Sequence, residues 1–167
     1  MLSDIFIVFG SSFIKGWLLK FLKKKRAINI HMGISPYYKG TDCNFWALKD
    51  NKIGYVGATI HLLNNNLDGG PILYHSISEF HPNPFIYTMS ATKSAIKSLK
   101  KYILEKKIFK LKPIRQNYKK NIRYSKKIDF TDDVIKQFFK ENKKKKYEYE
   151  RPNLKDFYLL KKSFFFK

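Results

Sequence analysis

The stretch that decides the fold of this chain is "AINIH" (residues 27–31), followed at once by "MGISPYYKG" (32–40). Its apolar residues suit a buried strand, yet Asn29 and His31 put an amide and an imidazole at the carboxyl end. Residues two apart in a strand point to the same face, so both polar groups lie on one side. Ligands of open α/β sheets bind at the carboxyl ends of the strands, which makes this strand end a candidate site.

The segments before this strand predict a strand, a helix and a parallel strand. "DIFIVFG" (4–10) is a short apolar run closed by glycine, and "SSFIKGWLLKFLKKK" (11–25) has the pattern of a helix with Ser11 or Ser12 as its cap. A strand, helix, strand unit makes its two strands parallel neighbours with a right-handed crossover. The fold class predicted from the sequence is therefore α/β with a mostly parallel sheet.

Further elements continue this pattern along the chain. We expect a short helix at 41–51 capped by Thr41 or Asp42, strands at 55–63 and 71–78, and a helix over 84–107 capped by Asn83. Apolar residues at alternating steps of four and three predict which face of that last helix packs on the sheet. The predicted face is Phe85, Met89, Thr92, Ile96, Leu99 and Ile103.

Composition limits the classes of function. The net charge is +21, with nine basic and five acidic residues in 1–81 but twenty-five and eight in 82–167. The basic second half predicts either an RNA-binding surface or a solvated lysine-rich face, and the solvated face is favoured. A single cysteine, Cys43, excludes a disulfide framework and a cysteine-based zinc site. No run approaches the ~20 apolar residues of a membrane span, so we expect a cytoplasmic protein that contacts no membrane.

Two further polar residues could join the candidate site. Asp68 lies in "NNNLDGG" (64–70), which is typical of a turn, but its carboxylate could also pair with His31 and accept a proton. His61 lies on the polar side of its strand, and a functional and a structural role stay open. A metal held by His31, His61 and Asp68 is conceivable, but the residues give a complete account without one, so no metal is predicted.

Together, "INIHMGISPYYKGTDCNFWAL" (28–48) and "GATIHLLNNNLDGGPIL" (57–73) resemble the signature of the folate-dependent formyltransferase family. That family includes glycinamide ribonucleotide transformylase, methionyl-tRNA formyltransferase and the sugar N-formyltransferases. The resemblance implies the C-terminal portion of a Rossmann-like formyltransferase domain. Residues 1–107 would form a catalytic core that lacks the family's first strands, so its sheet should have an exposed edge. Residues 108–167 would form a basic, aromatic extension, helical or irregular.

The resemblance also implies a mechanism and a set of site residues. The catalytic residues would be Asn29, His31 and Asp68, which transfer a formyl group from 10-formyltetrahydrofolate to an amine. Asn29 and protonated His31 would stabilise the oxyanion, while Asp68 supports His31 and proton removal. His61 and Tyr38 would contact the acceptor substrate. The folate pocket would be formed by Phe9, Gly10, Ser11, Ser12, Phe13, Ile14, Asn64, Asn65, Asn66 and Leu67.

The identity of the acceptor is also suggested by resemblance. "NFWAL" and "TIH" resemble the sugar N-formyltransferases, which implies a nucleotide-linked amino sugar as acceptor and a role in one-carbon metabolism. Two alternatives stay open. The chain could be a methionyl-tRNA formyltransferase-like protein that binds tRNA, which is the less favoured partner, or a non-catalytic folate-binding fragment that needs a partner chain. A homodimer is also left open.

Overall fold

The computed structural model describes residues 5–142, so the end of the predicted extension, residues 143–167, lies outside the described part. The described part is built from six strands and four helices. The strands are β1 (Ile7–Phe9), β2 (Ile28–His31), β3 (Tyr38–Gly40), β4 (Gly57–Leu62), β5 (Ile72–Ile77) and β6 (Arg123–Ser125). The helices are α1 (Gly16–Lys24), α2 (Cys43–Lys49), α3 (Pro84–Leu104) and α4 (Asp132–Asn142).

The main sheet has the order β1-β2-β4-β5. Strands β1 and β2, which precede and follow α1 in the chain, pair in parallel. This pairing confirms the predicted strand, helix, strand unit and the α/β fold class. The other two pairings, β2 with β4 and β4 with β5, are antiparallel, so the sheet is mixed. The loop between β4 and β5 is short, and a connection of that length joins antiparallel strands, because a parallel crossover needs a dozen or more residues. A second, two-stranded sheet pairs β3 with β6 in parallel.

Of the three predicted helix caps, one is wrong, one has the expected residue without a capping bond, and one is confirmed. Helix α1 begins at Gly16 with Lys15 at its N-cap, so Ser11 and Ser12 do not cap it. Those serines belong to an irregular segment that lines a cavity instead. At the start of α2, Asp42 occupies the N-cap position, but its side chain makes no capping bond. At α3, the Asn83 side chain accepts hydrogen bonds from two backbone N–H groups, as expected.

Helix α3 packs on the sheet through a different face from the one predicted. Phe85, Met89 and Ile96 are 60%, 66% and 49% exposed, and of the predicted stripe only Leu99 is buried. The buried face is Tyr87, Ala91, Ser94, Ala95, Ser98, Leu99 and Tyr102. Small side chains allow the helix to lie close to the sheet, and the buried serine hydroxyls bond to hydroxyls of β5. The spacing of the large apolar residues did not predict this, because it gives no information on how closely the small residues let the helix approach the sheet.

The hydrophobic core has two large parts. One lies between the main sheet and α3, and it also contains Ile108, which follows α3. The other surrounds α2 and contains Tyr38, Trp46 and, from α4, Phe138. Residues after 107 therefore pack on the same core as those before it. The division into domains at residue 107 stays a prediction.

Strand β1 is an edge of the sheet, as expected from the resemblance. Within the described residues it pairs only with β2, and apolar side chains on it and on α1 face solvent. We call these residues the β1–α1 surface: Ile7, Phe9, Phe13, Trp17, Leu18 and Phe21, each between 39% and 75% exposed. No helix between residues 5 and 142 is long and apolar enough to cross a bilayer.

Candidate active site

A cavity of about 260 Å³ lies at the carboxyl ends of the parallel strands β1 and β2. One wall comes from the end of β1 and the segment before α1, and the other from β2, β4 and the loop that follows β4. Asn29, His31, His61 and Asp68 all line this cavity. The structure thus brings the three predicted catalytic residues together, at the position where α/β sheets bind ligands.

His31 is held as an imidazolium by two hydrogen-bond acceptors. Its Nδ1 lies 3.2 Å from Asp68 Oδ1, and its Nε2 lies 3.0 Å from the Tyr38 carbonyl oxygen. A carboxylate and a carbonyl can only accept, so both ring nitrogens must carry hydrogen. Burial alone would lower the pKa of His31, but the nearby Cys43 sulfur and Asp68 carboxylate outweigh it, and this pKa is raised well above its usual value.

Asp68 is fixed at both carboxylate oxygens. Oδ1 accepts from His31, and Oδ2 accepts from the Gly40 N–H at 3.2 Å. Burial favours the neutral acid, but the bonds from His31 and Gly40 outweigh it and lower the pKa of Asp68. Asp68 also has a left-handed backbone, with φ of 47°, which aspartate adopts more readily than most residues. The loop thus delivers an ionised carboxylate to His31.

His61 orients Asn29. Its Nδ1 lies 2.9 Å from the Leu62 carbonyl oxygen, which can only accept, so Nδ1 carries the hydrogen. Its Nε2 then accepts from Asn29 Nδ2 at 3.0 Å. Burial lowers the pKa of His61 to about 4, which keeps this neutral tautomer. His61 was predicted to contact the acceptor; it lines the cavity but is 1% exposed with both nitrogens engaged, and its contact with the acceptor stays a prediction.

Tyr38 was predicted to contact the acceptor substrate, and the structure places it outside the residues that line the cavity; its contact with substrate stays a prediction. Tyr38 is fully buried in the core around α2, and its hydroxyl donates to Asp50 Oδ2 at 3.2 Å. Its backbone carbonyl is the group that reaches the site, through His31. Only the fold shows that the main chain of Tyr38 contacts His31.

Residues predicted to bind folate line the cavity with one exception. Asn65 points away, and its Oδ1 accepts from Lys23 Nζ of α1 at 2.8 Å. The residues that line the cavity are Phe9, Gly10, Ser11, Ser12, Phe13, Ile14, Asn64, Asn66 and Leu67. Apolar side chains thus lie on both walls, with amides at the loop. That they bind a folate stays a prediction.

Several residues of the site were not found from the sequence. Gly33 gives His31 its space, because a Cβ on Gly33 would lie 2.7 Å from His31 Nε2 and 2.5 Å from the Cβ of Cys43. Gly40 contributes its N–H, and Gln116 bonds to the Asp68 backbone. Spacing could mark the glycines as turn residues, but no pattern distinguishes Gln116 in its lysine-rich surroundings.

The described residues offer no cluster for a metal ion. Between residues 5 and 142, no three or more His, Cys, Asp or Glu side chains are placed to hold one. In the trio considered from the sequence, His61 already bonds to Asn29 and to the chain. His31 and Asp68 instead form an ion pair.

Comparison with known proteins agrees with this geometry. Residues 7–106, more than half of the chain, match the formyl transferase family model. No curated protein matches the chain in sequence. Among solved structures, the formyltransferase PseJ from Anoxybacillus kamchatkensis is 28% identical, with a TM-score of 0.61, and its structure contains UDP-4,6-dideoxy-4-formamido-L-AltNAc and tetrahydrofolate. The match covers 77% of this chain and 67% of that one.

Two other solved structures are similar. A 4-N formyltransferase from Francisella tularensis is 25% identical, with a TM-score of 0.62, over 76% of this chain and 51% of that one. A sugar N-formyltransferase from a Shewanella species is 22% identical over 76% of this chain and 50% of its own, with a TM-score of 0.62, and supports the fold alone. The chain thus spans about half to two thirds of these relatives. On the family match over residues 7–106, the chain belongs to the formyl transferase family.

Proposed function

We propose that this chain transfers a formyl group from 10-formyltetrahydrofolate to an amine, with a nucleotide-linked amino sugar as the acceptor. The observation that carries the proposal is the buried ion pair between His31 and Asp68, 3.2 Å apart, beside Asn29 at a cavity. In the reaction, the amine nitrogen bonds to the formyl carbon and loses a proton, while the bond from that carbon to the folate nitrogen breaks and the folate nitrogen takes up a proton.

The cavity fits the flat head group of a folate. Its walls present Phe13 and Ile14 on one side and Leu67 on the other, and Asn64 and Asn66 supply amides near the rim. A planar heterocycle needs apolar contact on its faces and hydrogen bonds at its edge. At about 260 Å³ the cavity lies just below the ~300 Å³ lower limit typical of small-molecule sites. It would hold the ring system while the rest of the molecule extends into solvent.

The polar residues have distinct roles in this proposal. The formyl donor supplies an electrophilic carbon whose oxygen gains negative charge as the amine adds. Asn29 has a second Nδ2 hydrogen beyond the one given to His61, and it would donate this hydrogen to that oxygen. The imidazolium of His31 stabilises the same charge electrostatically, because both of its N–H groups are already used. Preorganised charge in a buried site acts more strongly than in water.

Asp68 keeps His31 charged. Its lowered pKa makes the carboxylate a weak base, so its main contribution is electrostatic. The proton of the amine would then pass to a water that contacts the carboxylate, rather than to the carboxylate alone. The sequence prediction gave Asp68 the same two roles, support of His31 and proton removal with the help of a water.

The proposed acceptor rests on similarity to PseJ, whose structure contains a formamido sugar nucleotide and tetrahydrofolate. A second candidate function, a folate-binding fragment completed by a partner chain, is supported by the exposed β1–α1 surface, because large exposed apolar patches mark interaction sites. The two candidates differ in turnover. The transferase releases product on its own, whereas the fragment binds folate without turnover.

The deciding experiment is calorimetric titration of the purified chain with 5-formyltetrahydrofolate, followed by a transfer assay with 10-formyltetrahydrofolate and a UDP-linked 4-amino sugar. We expect micromolar binding and a formamido product. Binding without product would favour the fragment. Absence of both from a folded sample would contradict the proposed function.

A further inference from the structure

Residues 114–125, which we call the clamp, lie beyond the segment that matches the family model and yet contact the catalytic loop. The clamp begins with a backbone pairing of Ile114 with Ile72 of β5 and ends with β6. Between these two anchors it crosses the loop that carries Asp68. It meets the site at two places.

The first place is the backbone around Asp68. Gln116 Nε2 donates to the carbonyl oxygens of Asp68 at 2.7 Å and of Gly70 at 2.8 Å. The Tyr118 hydroxyl donates to the carbonyl oxygen of Gly69 at 2.8 Å. Gln116 is 8% exposed, so its two bonds are shielded from water. Three consecutive loop carbonyls are therefore held by two side chains of the clamp.

The second place is β3, which faces Asp68 and His31 from the other side. Strand β6 pairs with β3, and a Cβ on Gly40 would lie 1.9 Å from the Ser125 carbonyl oxygen, so the two backbones are in close contact. Strand β3 provides the Gly40 N–H to Asp68 Oδ2 and the Tyr38 carbonyl to His31 Nε2. The clamp thus holds both partners of the catalytic ion pair.

We propose that the clamp is part of the active site and that Gln116 is a positioning residue, which fixes the Asp68 loop against His31. The loop "NNNLDGG" (64–70) contains two glycines and three asparagines, and such a sequence has many backbone conformations in the absence of restraints. Asp68 must nevertheless hold one conformation to meet both His31 and Gly40. Two hydrogen bonds from one buried amide restrict the loop directly. The consequence for catalysis rests on the proposed function, whereas the consequence for His31 does not.

The test is Gln116→Met, which keeps the length of the side chain and removes both donors. Gln137→Met is the matched control, because Gln137 is exposed on α4, far along the chain from the loop. Three quantities are measured: the pKa of His31 by NMR titration of its ring, backbone hydrogen exchange of residues 66–70, and kcat and KM for formyl transfer to the UDP-linked amino sugar. Circular dichroism and thermal unfolding check the fold.

In Gln116→Met we expect the pKa of His31 to fall toward its usual value by about one unit, because a displaced carboxylate stabilises the imidazolium less. Exchange at residues 66–70 should accelerate at least tenfold. We expect kcat to fall about 10- to 100-fold with KM of the acceptor within threefold, since misplacement weakens charge stabilisation rather than binding. The control should match the wild type. A folded Gln116→Met with the wild-type His31 pKa and kcat would overturn the proposal.

A second variant tests the proposal in case the Gln116→Met protein fails to fold. Tyr118→Phe removes a single donor from a half-exposed ring, and we expect the same changes at about a third of the size. An unchanged His31 pKa and unchanged loop exchange in this variant would overturn the proposal as well. If the wild-type chain transfers no formyl group, the proposed function fails, and the His31 titration alone still decides whether the clamp positions the ion pair.

Discussion

The two walls of the cavity are built in opposite ways. In the wall formed by β2, β4 and the loop after β4, which we call the buried wall, the polar side chains of the strands are buried, with His31 and His61 at 5% and 1% exposure and every ring nitrogen of the two bonded. The wall formed by the end of β1 and the segment before α1, which we call the open wall, is largely apolar, with Phe9 at 45% and Phe13 at 49% exposure.

In the proposed function, this contrast separates chemistry from binding. The buried wall would hold the groups that stabilise charge, and their hydrogen bonds come from β2, β3, β4 and the clamp without help from β1. The open wall would supply mainly apolar surface for the formyl donor. Removing one partner of a buried hydrogen bond costs a large part of the folding free energy, whereas truncating an exposed apolar side chain costs little. Variants on the two walls should therefore differ sharply in their effects.

The largest effect is expected for Asp68→Asn on the buried wall. The variant keeps the shape of the side chain but removes the charge that holds His31 as an imidazolium. We expect kcat to fall about 1,000-fold, which corresponds to about 4 kcal/mol. Single-turnover formyl transfer measures it, with Asp133→Asn as a control because that side chain is exposed on α4. Full activity of Asp68→Asn would remove the electrostatic role of the ion pair.

The pH dependence of stability follows from the buried imidazoles. Two of these are His61 and His75, and His75 is a buried histidine of β5 whose Nε2 lies 2.8 Å from the Ser35 carbonyl oxygen. Burial lowers the pKa of each to about 4, so both take up protons on unfolding below about pH 6.5, and stability falls as pH falls. The raised pKa of His31 has the opposite sign: its stabilisation is complete below pH 6.5 and is lost as pH rises through the folded-state pKa.

We therefore expect a maximum of the unfolding free energy just below pH 7, with a loss of about 3 kcal/mol between pH 6.5 and pH 5 and a shallower decline above the maximum. Urea unfolding at several pH values measures this curve. A curve that is flat between pH 5 and pH 6.5 would mean that His61 and His75 are not buried as neutral rings.

The orientation of Asn29 gives the next prediction. His61→Leu removes the acceptor for Asn29 Nδ2, so the amide is free to rotate, and we expect kcat to fall about 30-fold with folate affinity unchanged. His61→Gln returns an acceptor near the position of Nε2 and should recover activity to within about fivefold of wild type. Equal losses in the two variants would show that His61 acts through packing rather than through Asn29.

The smallest effect is expected on the β1–α1 surface, next to the open wall. Trp17→Ser removes the most exposed side chain of the β1–α1 surface, and we expect a change in unfolding free energy below about 0.5 kcal/mol. Leu22→Ala in the same helix is the matched contrast, because Leu22 is 8% exposed and its truncation should cost about 2 to 3 kcal/mol. Chemical denaturation measures both. A large loss for Trp17→Ser would show that this surface is covered in the folded protein.

Local patterns predicted the elements better than their contacts. The βαβ unit, the strand that carries Asn29 and His31, and the cap at Asn83 are all present as the sequence indicates. The prediction of which face of α3 is buried was wrong, because the large apolar residues are exposed and small ones pack on the sheet. Spacing identifies a stripe of apolar residues, but close packing decides which stripe is buried.

The sequence by itself determined the α/β class and the three residues proposed to be catalytic, because alternation, turn residues and short motifs are local properties of the chain. Only the tertiary structure decided what those residues do. The proton on each nitrogen of His31 depends on Asp68 and on the Tyr38 carbonyl, and the Asp68 loop depends on Gln116, 48 positions away along the chain. Hydrogen-bond partners that distant are set by the packing of strands and loops, which no local pattern encodes.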